Sequence, residues 1–592
     1  MKKKVAFLAI GLIMVIALVI SSCGTSTPTT TPTTTTPTTT TPTTSTFLST
    51  PKNRSSETPK YGGTLNLASL VTPLDFDNAY TRYTTSYSMD LTHDQLLLGD
   101  WAQGPSGTNV PENDMSTLQF PSDKYLRGQL MESWELLDPT HWIFHIRKGI
   151  LWHNKAPVNG REFTADDVMF TLNRYLQQPA SAYVNMPFQK NLTMTVPDKY
   201  TLDLKWTGFN AMQFIQLTWY PYFIAPESVA TNPEALRDWK NECGTGPYNL
   251  VDYVKGSSLS FTKFDKYWAK DPLHPNNKLP YIDNIKIAIV PDRATMTALM
   301  RSGKLDQVTE FSFADAKSLK QTNPELSVSE VRRLTASLRP RADIPPFNDV
   351  RVRKAASMAF DRSRFLTDYF QGSGGFPGYS VCSPSWPEIL PLNQMPAATQ
   401  EIYSYNVTKA KQLLAEAGYP NGFDTAILCT QNGSAGLVTG ADFVTYLKTF
   451  WDAVGIRTAV TVMDSAQESA LRFNHQFNGV YIYVHGQANT MIVLDNFISK
   501  NANANAGAVN DPKFDADLLA AEQTFDPTQR QQKFRELHNY VTDMVWTIPV
   551  PSPYTYNLWH PWLKGYDGET NMLLGAYYKF FEYSWIDETL RK

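Results

Sequence analysis

Hydrophobic residues recur with the spacing of an amphipathic helix just after a pair of prolines near the middle of the chain. Pro345 and Pro346 favour an extended approach, because proline fixes φ and disfavours the helical region for the residue before it. Asn348 or Asp349 then supplies a side-chain oxygen to cap the first helical N–H groups. Apolar residues follow on one helical stripe: Val352, Ala355, Ala356, Ala359 and Phe360. The pattern predicts a closely packed helix with four cations on its other faces: Arg351, Arg353, Lys354 and Arg362.

Further helical patterns start and stop at recognisable residues. Helix starts are predicted at Asn406 and Asp526, whose side chains suit the capping position. Helix ends are predicted at three glycines, which suit a left-handed terminating residue: Gly303, Gly418 and Gly455. The helix that begins at Asp526 places four apolar residues on one face: Phe534, Leu537, Val541 and Val545.

Alternating apolar and polar positions predict strands in the first half of the chain. A first strand is predicted around Leu65 and Leu67, directly after a glycine pair. Residues 191–206 are predicted to form two strands around a Pro197-Asp198 turn. Another strand carries three bulky residues on one face: Trp142, Phe144 and Ile146.

The composition of the 592 residues is that of a globular protein with two or three domains. Hydrophobic residues make up 42% and charged residues 18%, and the net charge is −3. This charge does not favour a protein that binds nucleic acid or a membrane surface.

The first 60 residues differ from the rest and predict an exported protein on a tether. Three lysines precede the apolar run 5–20, which is short for a membrane span. The segment that ends at Cys23 resembles a bacterial lipobox, which implies a signal peptide at 1–22 and a lipid on Cys23; an uncleaved membrane anchor is the alternative. Residues 23–59 are rich in Thr and Pro and predict a disordered tether.

Motifs along the chain resemble the extracellular solute-binding proteins of peptide/nickel-type ABC importers (family 5). The opening stretch matches through Pro-Phe-Asn-Asp-Val-Arg-Val-Arg and Ala-Phe-Asp-Arg. Leu-Met-Glu-Ser-Trp-Glu at 130–135 and Phe-Thr-Ala-Asp-Asp-Val at 163–168 also match. Further matches are Gly-Thr-Gly-Pro-Tyr at 244–248 and the helix that starts at Asn406. The resemblance spans roughly residues 60–592.

The resemblance implies an α/β fold, the two-lobed periplasmic-binding-protein clamshell of class II (cluster C), with mixed β-sheets flanked by helices. Lobe 1 is expected at 60–336, with an extra subdomain at about 110–235. Lobe 2 is expected at 337–553, and residues 554–592 are expected to return to lobe 1. The chain is expected to cross between the lobes near Leu334–Leu338.

No set of residues predicts catalysis, a cofactor or a metal site, so the protein is not expected to be an enzyme. Asp166 and Asp167 suit the start of a helix capped by Thr164 better than acid–base chemistry. His141 and His145 are expected at a strand edge and facing solvent. If Cys23 carries lipid, three other cysteines remain: Cys243, Cys382 and Cys429. Cys382 and Cys429 lie in the same expected lobe, and a disulfide between them is an open possibility.

The ligand site departs from the pattern that the family implies. Many peptide-binding members have a segment whose acid pairs with the free amine of the peptide; the matching stretch here is 479–489, with Gln487 at the expected acid position and Asp495 the next carboxylate. Arg339 and Arg341 precede the proline pair where the family has an apolar strand. The predicted ligand-binding residues are therefore Arg339, Arg341, Trp386, Tyr483, His485 and Gln487.

The resemblance implies a substrate-binding lipoprotein of an ABC transporter that captures a peptide or peptide-like solute between its lobes. The expected partners are a small-molecule or peptide ligand, the membrane permease, and the membrane through a lipid anchor. A monomer at the outer face of the cell membrane is expected, with no nucleic acid. The alternatives are a non-peptide ligand, such as an oligosaccharide or acidic metabolite, a secreted glycan hydrolase with paired carboxylates about 5–9 Å apart, and an adhesive surface protein.

Overall fold

A computed structural model describes the chain from residue 57 onwards, with gaps. The described residues are 57–73, 76–77, 79, 86–108, 115, 123–177, 191–219, 221–332, 335–375, 382, 386–430, 440–485, 490–499, 505–570, 572 and 577–591. Within these ranges only the backbone is described for Ser86, Tyr87, Asp123, Ile215, Trp219, Arg332, Thr335, Thr430, Ser465, Ala466, Glu468, Ser469, Val484 and His485. The predicted signal peptide, Cys23 and nearly all of the tether lie outside the described residues.

Strands and helices alternate along the described residues. The strands are β1 (Thr64–Ser69), β2 (Leu97–Gly99), β3 (Leu126–Gly128), β4 (Met131–Asp138), β5 (His141–Ile146), β6 (Leu192–Asp198), β7 (Thr201–Trp206), β8 (Tyr248–Val254), β9 (Ser258–Lys263), β10 (Asn284–Ile289), β11 (Gln307–Phe311), β12 (Ser327–Arg332), β13 (Thr335–Pro340), β14 (Gly374–Gly375), β15 (Phe423–Thr430), β16 (Ile456–Met463), β17 (Val480–His485), β18 (Ile548–Pro549), β19 (Ser552–Trp559), β20 (Leu563–Lys564) and β21 (Trp585–Ile586). The helices are α1 (Ser86–Thr92), α2 (Ala165–Gln177), α3 (Met212–Trp219), α4 (Arg293–Arg301), α5 (Phe313–Thr322), α6 (Val350–Met358), α7 (Arg362–Phe370), α8 (Ala397–Ile402), α9 (Val407–Glu416), α10 (Ala441–Asp452), α11 (Ser465–Phe473), α12 (Thr490–Leu494), α13 (Pro512–Glu522) and α14 (Pro527–Met544). None of the helices in the described part of the chain is long and apolar enough to cross a bilayer.

The first half of the chain folds around two four-stranded sheets. One has the order β1-β10-β9-β8, with β1 parallel to β10, and the other has the antiparallel order β4-β5-β7-β6. Their apolar side chains share one hydrophobic cluster, the first core, which runs from Leu65 to Ile287 and includes the C-terminal residues from Trp559 to Ile586. The C-terminal chain therefore packs with the N-terminal sheets.

The second half folds around a five-stranded sheet of the order β16-β15-β17-β13-β18, which is named the second sheet. One cluster of apolar residues, the second core, lies between Ala336 and Val550. A separate cluster, the third core, is built from residues 491–546 together with Met212 from the first half of the chain. A further sheet, β11-β19-β12, packs in a fourth core with Val290 to Val328, and β19 lies in it directly after β18.

The helix predicted after the proline pair is present as α6. The side chain of Asp349 caps it by accepting a hydrogen bond from the Arg351 N–H. All five residues of the predicted stripe are fully buried: Val352, Ala355, Ala356, Ala359 and Phe360. Arg353 and Arg362 are also buried, because their guanidinium groups donate to backbone carbonyls. The last two stripe residues lie beyond the end of α6, before α7 begins.

Most predicted strands, caps and helix ends are confirmed, and three details are wrong. Val545 is not on the apolar face of α14: it follows the helix with a left-handed φ of 49°, and its side chain packs in the second core. The turn between β6 and β7 lies at Lys199-Tyr200, because β6 continues through Asp198. His141 and His145 lie on β5, an interior strand rather than an edge.

The three described cysteines are buried in the interior as thiols. Cys382 and Cys429 both lie in the second core, but they form no disulfide, and Cys243 is buried in the first core. Burial raises the pKa of the Cys243 thiol to about 12, so it remains protonated at neutral pH.

Candidate functional site

The carboxyl edge of the second sheet is the position at which an α/β fold of this kind binds a ligand. β15 lies between β16 and β17 and is parallel to both. The three strands therefore end at one edge, at Thr430, Met463 and His485. Ligands of open α/β sheets bind outside the carboxyl ends of the strands, where neighbouring connections diverge. The connections after β15 and β17 diverge here, since β15 leads through α10 to β16 on one side of the sheet, whereas the chain after β17 leads through α12, α13 and α14 to β18 on the other side.

The chain crosses between its sheets at this same edge. β13 is antiparallel to β17, with Thr335 opposite His485, so the chain enters the second sheet beside the carboxyl ends. It leaves by β18, which pairs with Ser337 and Leu338, and then continues as β19 in the sheet of the fourth core. Two adjacent crossings next to a ligand-binding edge form the arrangement of a hinge.

Arg339 is enclosed in the interior rather than displayed at this edge. Its guanidinium lies 4.1 Å from the ring centre of Phe497 and 5.1 Å from that of Tyr483, and its Nε donates to Ser337 Oγ at 3.4 Å. Burial lowers the pKa of Arg339 to about 9. The ring faces stabilise the cation in place of solvent.

Arg341 directly follows β13, at the end away from Thr335. It is six residues beyond Thr335, a distance of about 20 Å along an extended strand. Its guanidinium pairs with both carboxylate oxygens of Asp343 at 2.7 Å and donates to the carbonyls of His475 and Phe477. This side chain ties the end of the strand to the loop before β17.

The other predicted ligand residues lie in different surroundings. Tyr483 donates its hydroxyl to Asn496 Oδ1 at 3.2 Å. Trp386 is buried in the second core. His485 ends β17 at the carboxyl edge, where its backbone is opposite Thr335. Gln487 lies outside the described residues.

Two ionisable residues near these groups were not predicted from the sequence. Glu388 is half-buried and accepts a hydrogen bond from Thr490 Oγ at 3.1 Å, five residues after the end of β17. Arg472, at the end of α11, lies 5.7 Å from the ring centre of Tyr481 and 6.0 Å from that of Tyr483. Neither residue stands in a motif, so no sequence signal separates it from a surface charge.

The residues weighed for catalysis have structural partners. Asp167 accepts from the Thr164 N–H at 2.9 Å at the start of α2 and forms an ion pair with Arg161. His141 lies 3.0 Å from Asp203, and His145 lies 2.7 Å from Glu135. Among the described residues, no three His, Cys, Asp or Glu side chains are placed to hold a metal ion together.

Two surface cavities lie on the first core, away from the carboxyl edge. Their volumes are about 620 Å³ and about 270 Å³. Trp239 and Tyr253 are among the residues that line the larger cavity, and Trp268 and Tyr583 are among those that line the smaller one. Neither of these two cavities is lined by a predicted ligand residue.

Solved structures with this arrangement of sheets define the fold as that of the two-lobed periplasmic binding proteins. HbpA2 from Haemophilus parasuis matches with a TM-score of 0.71 at 19% identity, over 89% of this chain and 100% of that chain. DppA from Helicobacter pylori in complex with the peptide STSA matches with a TM-score of 0.68 at 19% identity, over 89% and 99%. The periplasmic binding protein AgaA in complex with agropinic acid, from A. tumefacien R10, matches with a TM-score of 0.68 at 19% identity, over 89% and 99%.

Residues 126–506, more than half of the chain, match the model of the bacterial extracellular solute-binding proteins, family 5. The chain belongs to that family and is the substrate-binding protein of an ABC importer of the peptide/nickel type. It is 28% identical to heme-binding protein A of Haemophilus influenzae over 74% of this chain and 81% of that protein. It is 27% identical to the dipeptide-binding protein of Escherichia coli over 50% and 55%, and 24% identical to glutathione-binding protein GsiB of Salmonella paratyphi A over 72% and 79%. The chain thus spans about half the length of the dipeptide-binding protein.

Proposed function

We propose that this protein captures a peptide or peptide-like solute between its lobes, at the carboxyl edge of the second sheet, and delivers it to the membrane permease as a monomer. The observation that supports this most directly is the position of both chain crossings beside that edge. A ligand held there contacts both sides of a hinge, so it favours the closed arrangement. Relatives named for dipeptide and glutathione agree with a peptide-like solute.

We propose that the carboxylate of Glu388 pairs with the ammonium group at the positive end of such a solute. Its hydrogen bond to Thr490 holds the side chain at the start of α12, five residues after β17 ends. A peptide ammonium buried without a carboxylate partner would be costly, so we propose that Glu388 is that partner. The guanidinium groups of Arg339 and Arg341 would suit an acidic solute, but both already have partners inside the protein.

Calorimetry with the purified full chain tests the solute class. The panel is a mixed dipeptide and tripeptide library, the same library N-acetylated, oligosaccharides and acidic metabolites. We expect micromolar binding of the free-amine peptides, lost on N-acetylation and weakened at least tenfold in Glu388→Gln, since one charge-assisted contact contributes about 1.5–3 kcal/mol. The matched control is Glu401→Gln, an exposed residue on α8, which should bind like the unchanged protein.

A second solute class, an acidic one, is favoured by a single observation. The guanidinium of Arg472 lies over the aromatic face formed by Tyr481 and Tyr483, beside the same sheet. Such a cation suits a carboxylate or phosphate. Binding of acidic metabolites that is lost in Arg472→Gln, together with no binding of peptides, would overturn the peptide assignment in favour of this class.

We also propose that the protein is anchored outside the cell by a lipid on Cys23. The support is the lysine-rich start, the apolar run and the small residues before the cysteine. Cys23→Ala should leave an unprocessed precursor or release the protein from membranes, as measured by fractionation and intact mass. Normally processed protein that still needs detergent would contradict the proposal.

A further inference from the structure

The smaller of the two cavities on the first core combines positive charge with apolar surface. It has a volume of about 270 Å³ and is lined by parts of the chain that lie far apart in the sequence. Three cations line it: Arg127 on β3, Arg147 directly after β5, and Lys270 in the loop after β9. The lining also includes three aromatic or apolar side chains: Trp268, Met572 and Tyr583. This cavity, the cationic cavity, therefore contains groups for both a charged and an apolar part of a ligand.

Two of the cations have unused hydrogen-bond donors. Across the described ranges, the guanidinium of Arg127 forms no hydrogen bond, and its Nη1 lies 3.9 Å from Asp100 Oδ1. Asp100 itself accepts from the Ala102 N–H at 3.1 Å and from Gln103 Nε2 at 2.8 Å. The ammonium of Lys270, an exposed residue, has neither a hydrogen bond nor an ion pair with any described residue. Both side chains can therefore turn to a ligand without giving up a hydrogen bond.

The third cation is held in a fixed position. The guanidinium of Arg147 lies 4.7 Å from the ring centre of Trp268. Its Nε donates to the carbonyl of Gln129 at 2.8 Å, and its Nη2 donates to that of Gly128 at 3.3 Å. Its Nη1 is 3.7 Å from Glu132 Oε1, too far for a hydrogen bond, and it has no other acceptor in the described part of the chain. A planar guanidinium fixed in this way keeps N–H donors for a carboxylate or phosphate group.

Negative charge in the lining does not cancel these cations. Glu582 is the one carboxylate among the described residues that line the cavity. It is buried, accepts from the Tyr267 hydroxyl at 2.8 Å and lies 3.4 Å from Lys579. Three positive charges therefore line the cavity against one negative charge, which already has partners in the interior. A cavity with this balance of charge attracts anions.

We propose that the cationic cavity is a second binding site, for a small organic anion that carries a carboxylate or phosphate group on an apolar body. The anionic group pairs with Arg127, Arg147 and Lys270, and the apolar body lies against Trp268 and Met572. The volume is just below the range of about 300–1,000 Å³ that is usual for ligand pockets, so the ligand is small. The site lies away from the carboxyl edge and does not rest on the proposed function.

Calorimetry with the purified full chain tests the site, with phenyl phosphate and benzoate as probes. The two probes share a ring and differ in the anionic group, so the tighter one identifies the group that the cavity takes. We expect a dissociation constant of about 1 mM or lower. Benzyl alcohol, which has the ring without the charge, should bind at least about tenfold more weakly. Binding of the anions should weaken as sodium chloride is added, because salt screens exposed charges.

Substitution of the two exposed cations tests their part in binding. Arg127→Gln and Lys270→Gln should each weaken binding about threefold, and the double variant about tenfold, because contacts of partly exposed charges are individually modest. Neither change removes a hydrogen bond that holds the fold. The matched control is Lys286→Gln, at an exposed position of β10 outside the cavity, which should bind like the unchanged protein.

Several results would overturn the proposal. They are the absence of binding of either anion, equal binding of benzyl alcohol, and an equal loss of affinity in Lys286→Gln. Anion binding that is lost in Arg472→Gln and kept in the cavity variants would place the probe at the carboxyl edge instead. Failure of the peptide titration is a separate result, because Glu388 does not line the cationic cavity.

Discussion

The two halves of the molecule bury ionic side chains in different ways. In the first core, Lys579 lies 2.5 Å from Asp94 and 3.4 Å from Glu582, and all three side chains are buried. Tyr267 donates to Glu582 at 2.8 Å, and Trp268 donates to Asp94 at 3.0 Å. Burial opposes the charge on Lys579, but the two carboxylates outweigh it and raise its pKa. The first core thus contains a compact ionic cluster.

In the second half, two buried arginines donate to backbone carbonyl groups. Arg353 donates to the carbonyls of Phe347 at 2.6 Å and Met544 at 2.8 Å. Arg362 donates to the carbonyls of Ser357 at 3.0 Å and Pro549 at 3.1 Å. Burial lowers the pKa of each guanidinium to about 10.

The difference shows what each cation does in this fold. An ammonium is a point charge, and a buried one is tolerated when carboxylates surround it. A guanidinium has five donors in a rigid fork, so it can join chain segments through their carbonyl groups. Arg341 also joins chain segments, since it donates to the carbonyls of His475 and Phe477 in addition to its ion pair with Asp343. Arg341, Arg353 and Arg362 therefore hold loops and strands together.

The largest loss of stability is expected when the charge of Lys579 is removed from the ionic cluster of the first core. Lys579→Met leaves Asp94 and Glu582 buried without their cation, so we expect a loss of about 3–5 kcal/mol in the free energy of unfolding. Urea denaturation followed by tryptophan fluorescence measures the loss. The double variant Lys579→Met/Glu582→Gln should recover part of it, because one uncompensated charge is removed. Lys266→Met, at an exposed position, is the control and should change little.

If Lys579→Met unfolded at the same urea concentration as the control, the cluster would not be a source of stability. The two halves would then differ in how their buried cations are arranged, and not in how much these cations stabilise the fold.

A smaller loss of stability is expected when a buried guanidinium of the second half is removed. Arg353→Met leaves the buried carbonyl groups of Phe347 and Met544 without a donor, which we expect to cost about 1–3 kcal/mol in the same denaturation experiment. Arg353→Lys should recover only part of the lost stability, since one ammonium group cannot reproduce the fork of guanidinium N–H donors. Its neighbour Lys354, half-buried on the same helix, offers the matched control Lys354→Met. Full recovery by lysine would show that charge, not the fork, matters at this position.

Short-range signals in the sequence predict the local structure well, because capping and turn preferences act within a few residues. Asn406 and Asp526 cap α9 and α14 through bonds to N–H groups three residues ahead. Gly303, Gly418 and Gly455 end helices with positive φ values. The family motifs also suffice to predict the fold class and the transport role, since they extend along most of the chain.

Burial and pairing across long separations are not encoded in such signals. The side-chain amide of Asn210 donates a hydrogen bond to the carboxyl group of Glu522, although 312 residues separate them in the sequence. Neither residue stands in a motif that points to the other. Arg339 resembles a cleft residue in the sequence, yet Phe497 covers it only because the third core packs on that face of the sheet. The spacing of Val545 in the sequence continues the apolar stripe of α14, but its left-handed backbone directs the side chain into the second core. Local patterns specify the elements, whereas the environment of each side chain depends on which distant segments pack against it.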